Sequence, residues 1–290
     1  MKIYDFNKDK VVDIKDNTNK MLQFLYNTVV GRFILKFITR PVISKIYGKY
    51  NNSYISTYKI NSFIKKNNIN ISDYLDTKYS SFNDFFTRKI KDGKRNFSLN
   101  KNDFCSLCDG KLMLYKITDD LTFKVKNSTY TVSSLVQDEE LAKKYINGIC
   151  AVFRLSVDDY HRYYYFDDGK VVNNKKIAGL LHTVNPIAYN NYSVFSENSR
   201  EVTVLDTNNF GKIVQIEVGA LMVGKIVNYE KIKFTRGQEK GYFEFGGSTI
   251  ILLIPNDAIK FNDNIWEYSN KNIETRVYLG NTIGISNINR

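Results

Sequence analysis

Histidine is nearly absent from this chain: His161 and His182 are the only two among 290 residues. Cysteine is scarce as well, and three of them in so long a chain exclude a disulfide framework and suit a reducing compartment. Cys105-Ser106-Leu107-Cys108 is a lone CxxC with no second pair, and both histidines lie more than fifty residues beyond it. No metal site is read from it. No long apolar run is present either. The most hydrophobic early stretch, 21–39, is interrupted by Arg32 and Lys36, whereas a spanning helix needs about 20 apolar residues without central charges. That excludes a conventional membrane span. Residues 1–20 are polar and charged and lack the apolar core of a secretory signal, so a cytoplasmic protein is expected. Proline is limited to three residues, and no repeat of 20–50 residues is visible.

What the chain does carry is aromatic and basic. With 21 Tyr, 19 Phe and many Ile and Val, the composition leans toward β structure. A formal charge of +12 calls for an anionic partner, either nucleic acid or an acidic lipid surface. The basic residues are scattered rather than striped, and no nucleic-acid motif is found, so nucleic acid is set aside.

Apolar residues recur at helical spacing through 21–50, with Pro41 expected to end one helix and open the next. Arg32, Lys36, Arg40, Lys45 and Lys49 punctuate this stretch. A basic amphipathic pair of this kind either lies in a bilayer interface or packs on its own core, and the pattern is the same in both cases. Further helices are expected over 56–66, after the Ser81 cap, and from a cap at Ser134 to about 144. From 149 onward short apolar runs alternate with turns, predicting strands at 150–155, 170–173, 202–206, 212–218, 222–228, 242–245 and 249–254. Turns are expected at Asp168-Gly169, Phe210-Gly211 and Arg236-Gly237. The expected class is α+β: N-terminal amphipathic helices followed by a β-rich body, divided as 1–80 and 81–290.

Four segments carry chemistry. Gly246-Gly247-Ser248-Thr249 sits between two strands, where glycine lets the backbone bend sharply and exposes a hydroxyl. Asp109-Gly110 places a carboxylate in a turn, while Asp158–Tyr165 and 181–186 hold the two histidines. Singly these are a bulge, a turn and two packing residues. Together Ser, His and Asp form the set that activates a hydroxyl, although spacing does not show that they meet.

The chain resembles the phosphatidylserine decarboxylases of the shorter bacterial type over nearly its whole length. The resemblance is carried by Gly31-Arg32, Thr39-Arg40-Pro41, the run Phe82-Asn83-Asp84-Phe85-Phe86-Thr87-Arg88, and Cys108-Asp109-Gly110. It continues through Asp159-Tyr160-His161-Arg162, Thr183-Val184-Asn185-Pro186, Val218-Gly219-Ala220, Val223-Gly224, Lys240-Gly241 and Phe245-Gly246-Gly247-Ser248-Thr249.

The resemblance implies that Ser248 attacks the carbonyl of Gly247, splitting the chain into 1–247 and 248–290 and leaving a covalent pyruvoyl group in place of Ser248. That group would form a Schiff base with phosphatidylserine and act as the electron sink for decarboxylation to phosphatidylethanolamine. Asp109 and a histidine would activate Ser248, and His161 is also the candidate acid that protonates the product carbon. One departure stands out: many relatives carry a second histidine, the usual relay, where this chain has Tyr164. His161 is preferred over His182 because it keeps the Tyr-His-Arg context. The implied partners are phosphatidylserine, an anionic membrane surface at the cytoplasmic face, and a heterodimer of the two fragments, with further oligomerisation left open. Two rivals remain: a self-processing decarboxylase of another amino-acid-bearing substrate, and a non-catalytic basic membrane-binding protein.

Overall fold

The computed structural model describes residues 1–14, 20–125, 128–221 and 225–288. Its centre is a ten-stranded sheet. In spatial order the strands are Lys233–Phe234, Gly169–Ile177, Arg200–Thr207, Gly211–Val218, Ser248–Ile254, Ile149–Leu155, Gly110–Lys116, Glu274–Val277, Lys2–Asp5 and Lys10–Asp13. Neighbours run antiparallel except Lys2–Asp5 beside Glu274–Val277, which are parallel. Thus the 1–80 portion holds two strands of this sheet as well as helices.

The central strands read as nearly continuous apolar runs because both faces of the sheet are covered. Every residue of Ser248–Ile254 is buried. Its odd-numbered Ile251 and Leu253 join Val152, Val214 and Ile216 in a core that includes Leu25 and Tyr26. Its even-numbered Ile250 and Leu252 join Phe153, Leu155, Tyr163 and Phe243 on the other face. At roughly 1.5–3 kcal/mol per fully buried aliphatic side chain, this strand is among the strongest contributors to the fold. A small antiparallel sheet of Ile226–Asn228, Glu239–Phe243 and Arg162–Tyr164 packs on that second face.

The expected strands are all present, mostly longer by a residue or more at one end. Of the 222–228 strand only Ile226–Asn228 is seen, and 222–224, with the Val223-Gly224 match, lies outside the described residues. The last residues of the 242–245 strand are instead a bend, since its pairing ends at Phe243. Strands Lys2–Asp5, Gly110–Lys116 and Glu274–Val277 go unanticipated. Two of them are only four residues long, and they pair with each other across nearly the whole chain.

The 21–50 stretch is three helices rather than two: α1 (Lys20–Asn27), α2 (Val29–Ile38) and α3 (Pro41–Asn51). Thr28 makes the additional break, its hydroxyl accepting from the Gly31 N–H to cap α2. Pro41 opens α3. The 56–66 helix begins as a tight 3₁₀ turn, Tyr54–Tyr58, before α4 (Lys59–Asn67). Ser81 caps α5 (Phe82–Phe86) through the Asp84 N–H. Ser134 is not a cap: Thr131 takes that place, accepting from the Ser134 N–H. That helix stops at Gln137, in the left-handed region, and Asp138 caps a separate turn, Glu139–Ala142.

Candidate active site

Three neighbouring strands meet the site at one end. Ser248 opens one strand and lies opposite Leu155, the last residue of the next. On the far side of that middle strand, Lys111 pairs with Arg154, so Asp109 and Gly110 sit at the same end. Two strand spacings separate Ser248 from this start, roughly 10 Å. Between them the chain leaves Leu155, loops through Ser156–Tyr160, and returns as Arg162–Tyr164, delivering His161.

The loop is held by charge. Asp159 accepts hydrogen bonds from the Ser156 N–H and from the ammonium of Lys111, whose side chain is buried. Burial alone would raise the Asp159 carboxyl, but Lys111 outweighs it and holds the group below its ordinary range. The Asp159 carbonyl then receives Nδ1–H of His161 at 2.9 Å. Because a carbonyl only accepts, this bond puts the proton on Nδ1 and leaves the lone pair on Nε2. Burial, with the charges of Arg88 and Lys111 against protonation, pulls the His161 pKa down to about 4.

α5 fixes the other side. The ring of Phe86 lies 4.3 Å from the His161 ring and 5.1 Å from that of Phe245. Asn83 Oδ1 accepts from the Phe245 N–H at 3.0 Å, and the Phe243 N–H donates to the His161 carbonyl at 3.0 Å. The segment entering Gly246-Gly247-Ser248 is therefore tied to His161 on both sides. Gly246 has φ of 140°, closed to other residues, whereas a Cβ at Gly247 would meet only ordinary contacts. Of the two glycines, Gly246 makes the bend.

Two side-chain atoms of this region are bare. Ser248 Oγ and His161 Nε2 are buried without a hydrogen-bond partner, and they are not bonded to each other. Unpaired buried polar atoms are rare and costly, about 1–3 kcal/mol each. These two lie on segments joined by a backbone hydrogen bond, from the Phe243 N–H to the His161 carbonyl. A third polar group lies on the same sheet face as Ser248: Lys240 Nζ donates to Glu217 at 2.8 Å, both buried. Asn228, which also accepts from Tyr163, completes this network and anchors the small sheet to the large one.

Asp109 is engaged elsewhere. Its oxygens accept Nε and Nη2 of Arg95 at 3.1 and 2.9 Å and the Leu279 N–H at 2.8 Å, and it bonds neither histidine. Burial raises its carboxyl against the opposing pull of Arg95. It lines a cleft of about 450 Å³ together with Lys111 and Asp159; Ser248 and His161 are not among the lining residues. His182 stacks on Tyr192 at 4.0 Å in the helix-facing core, with Nδ1 at 3.4 Å from the Tyr26 hydroxyl. Tyr164, at the position where the resemblance leads one to expect a second histidine, places its hydroxyl 3.2 Å from that of Tyr160. The three cysteines are buried free thiols. Lys111, Lys240 and Glu217 escaped the sequence reading because a lone lysine or glutamate carries no pattern, although Lys240 lies in a matching segment.

Residues 82–285 match the sequence model of a family described as phosphatidylserine decarboxylase. A relative from Clostridium acetobutylicum, phosphatidylserine decarboxylase proenzyme 2, is 51% identical over 99% of this chain and 100% of its own. Phosphatidylserine decarboxylase proenzymes from Clostridium tetani and Clostridium perfringens are 40% and 38% identical, over 93% and 98% of this chain and 93% and 99% of their own. The chain belongs to the phosphatidylserine decarboxylase family.

Proposed function

We propose that this chain is a proenzyme that cuts itself between Gly247 and Ser248 and then decarboxylates phosphatidylserine to phosphatidylethanolamine. The observation that carries the self-cleavage is the pair of bare, buried atoms, Ser248 Oγ and a neutral His161 Nε2. His161 takes the Oγ proton as Oγ bonds to the Gly247 carbonyl carbon. The Gly247–Ser248 C–N bond then breaks, leaving an ester and a free amine. Loss of the Ser248 α-proton expels Gly247 as a carboxylate that keeps the former Oγ. The remaining enamine tautomerises to an imine, and water releases ammonia to give the pyruvoyl ketone. Once formed, that group supplies the electron sink for decarboxylation.

Asp109 acts at one remove. By holding Arg95 and the Leu279 N–H it fixes the start of the strand whose Lys111 grips Asp159, and Asp159 holds His161. In the cut enzyme His161 would also return a proton to the product carbon.

After the cut, the 43-residue fragment 248–290 would stay with 1–247. It contributes Ser248–Ile254 and Glu274–Val277 to the large sheet and Thr282–Ser286 to another, each paired with a strand of the larger fragment.

The N-terminal region supports a lipid substrate. No helix of the described residues is long and apolar enough to cross a membrane. Yet α1–α3 bury only a narrow stripe, and Val29 (76% exposed), Phe33 (61%), Ile46 (62%) and Ile55 (73%) face outward among Arg32, Lys36 and Lys45. Such a patch suits peripheral attachment to an anionic bilayer at the cytoplasmic face, with 1–80 as the attaching region and 81–290 as the catalytic one. Release of CO₂ from phosphatidylserine vesicles but not from free serine is the expected result. Equal turnover of free serine would favour a soluble substrate.

A further inference from the structure

A second concavity, a groove of about 390 Å³, runs from α3 to the strand next to Ser248. Its α3 wall is Pro41, Ser44 and Lys45, and its floor is Leu181, Gly219 and Ile226. Gly219 directly follows Val218, which pairs with Thr249, so the register puts Gly219 beside Ser248, one strand spacing away, about 5 Å. A Cβ on Gly219 would stand 3.1 Å from Leu181 Cδ2 and 3.3 Å from the Ser199 carbonyl, crowding the floor. The outer turn of α3 next to this wall carries the exposed Val42 and Ile46 of the lipid-facing patch.

The groove is basic. Four cations line it, Lys45, Lys176, Arg200 and Lys225, against one carboxylate, Glu201. Lys176 stands 4.0 Å from Glu201, and Arg200 is buried and spent on backbone carbonyls. Lys225 sits close enough to Glu244 to oppose the rise that burial gives that carboxyl. Lys45 is exposed and makes no ion pair among the described residues. Ser44 adds a hydroxyl that is buried (2% exposed) and has no hydrogen-bond partner. An unpaired donor beside the unpaired Lys45 ammonium, in a groove with more cations than carboxylates, is a site for an anion with several acceptor oxygens.

We propose that this groove binds the phosphodiester of the phospholipid headgroup, with Lys45, Lys225 and the Ser44 hydroxyl on its oxygens. Four bonds separate the amine of a phosphoserine headgroup from its phosphorus. Phosphate at the α3 wall therefore lets the amine reach the Ser248 position while the acyl chains stay on the apolar surface outside. This inference rests on Ser248 being the reactive position for phosphatidylserine.

The test uses purified, self-cut protein and two dispersed substrates, so that vesicle attraction plays no part. One is dihexanoyl phosphatidylserine below its micellar concentration, and the other is the octanoyl ester of serine, which lacks phosphate. In the Lys45→Glu, Lys225→Glu double variant, KM for the phospholipid should rise about tenfold or more with the cut intact. Its preference for phospholipid over ester, as a ratio of kcat/KM, should fall by a similar factor. Lys116→Glu, the same charge change at the far end of the sheet, should behave as wild type. An unchanged KM in the double variant, or an equal loss on both substrates, would overturn the groove assignment. Wild type that is fully cut yet releases no CO₂ from the phospholipid would sink the substrate reading and the groove with it.

Discussion

Burial keeps His161 neutral, and the hydrogen bond from Nδ1 to the Asp159 carbonyl aims its free lone pair away from the loop. With the pKa lowered to about 4, self-cleavage should be nearly flat with pH around neutrality and fall only as pH drops through about 4. His161→Ala should slow the cut by about 10²–10⁴-fold, the range for a general base, as read from a time course on a denaturing gel. His182→Ala should still cut, because that ring is occupied with Tyr192 and Tyr26. The opposite pattern would move the relay to His182. Nothing in a list of residues distinguishes these two histidines. Their separation is a matter of which carbonyl or ring each one meets, and only the chain context Tyr160-His161-Arg162 hinted at it.

Among the elements, α5 is the clamp. Asn83 accepts from the Phe245 N–H and also donates to Asn52 at 3.0 Å, joining the end of α3 to the segment entering Gly246-Gly247-Ser248. Asn83→Ala removes the partner of this half-buried N–H and should slow cutting while lowering the urea midpoint. Wild-type cutting with a lowered midpoint would reduce Asn83 to a purely structural role. α2 makes a separate prediction: Phe33→Asp should weaken flotation with phosphatidylserine-containing vesicles while the chain still cuts itself. The helices were legible from their 3.6-residue period, and Ser81 and Pro41 marked their starts correctly. What the period could not reveal was whether α2 faces core or solvent. The break at Thr28 was missed because a threonine cap leaves the apolar spacing on both sides intact.

At the scale of the molecule, long-range pairing carries what local pattern could not. Ser248–Ile254 announced itself as a buried strand, but its place between Gly211–Val218 and Ile149–Leu155 is what brings Ser248 and the His161 loop to one end. Lys2–Asp5 and the edge strand Lys10–Asp13 are short, with a charged residue at each end, and were illegible for that reason. The whole fold also bears the burial of its two histidines, both lowered by burial to about 4 from 6.5. Between those values the unfolded chain binds more protons than the native one, so stability falls as pH drops from about 6.5 toward 4. Each histidine contributes on the order of 3 kcal/mol over that window. Urea midpoints at pH 7.5 and 5 should therefore differ, and the difference should shrink in His182→Ala.

The central claim, that Ser248 is made into a cofactor by attack on its own chain, is tested most directly by intact mass under denaturing conditions. Two chains are expected, 1–247 and 248–290. The smaller should be lighter than a serine-started peptide by one ammonia and blocked to N-terminal sequencing, and Ser248→Ala should stay whole. A single uncut chain from wild type that nonetheless decarboxylates phosphatidylserine would contradict it.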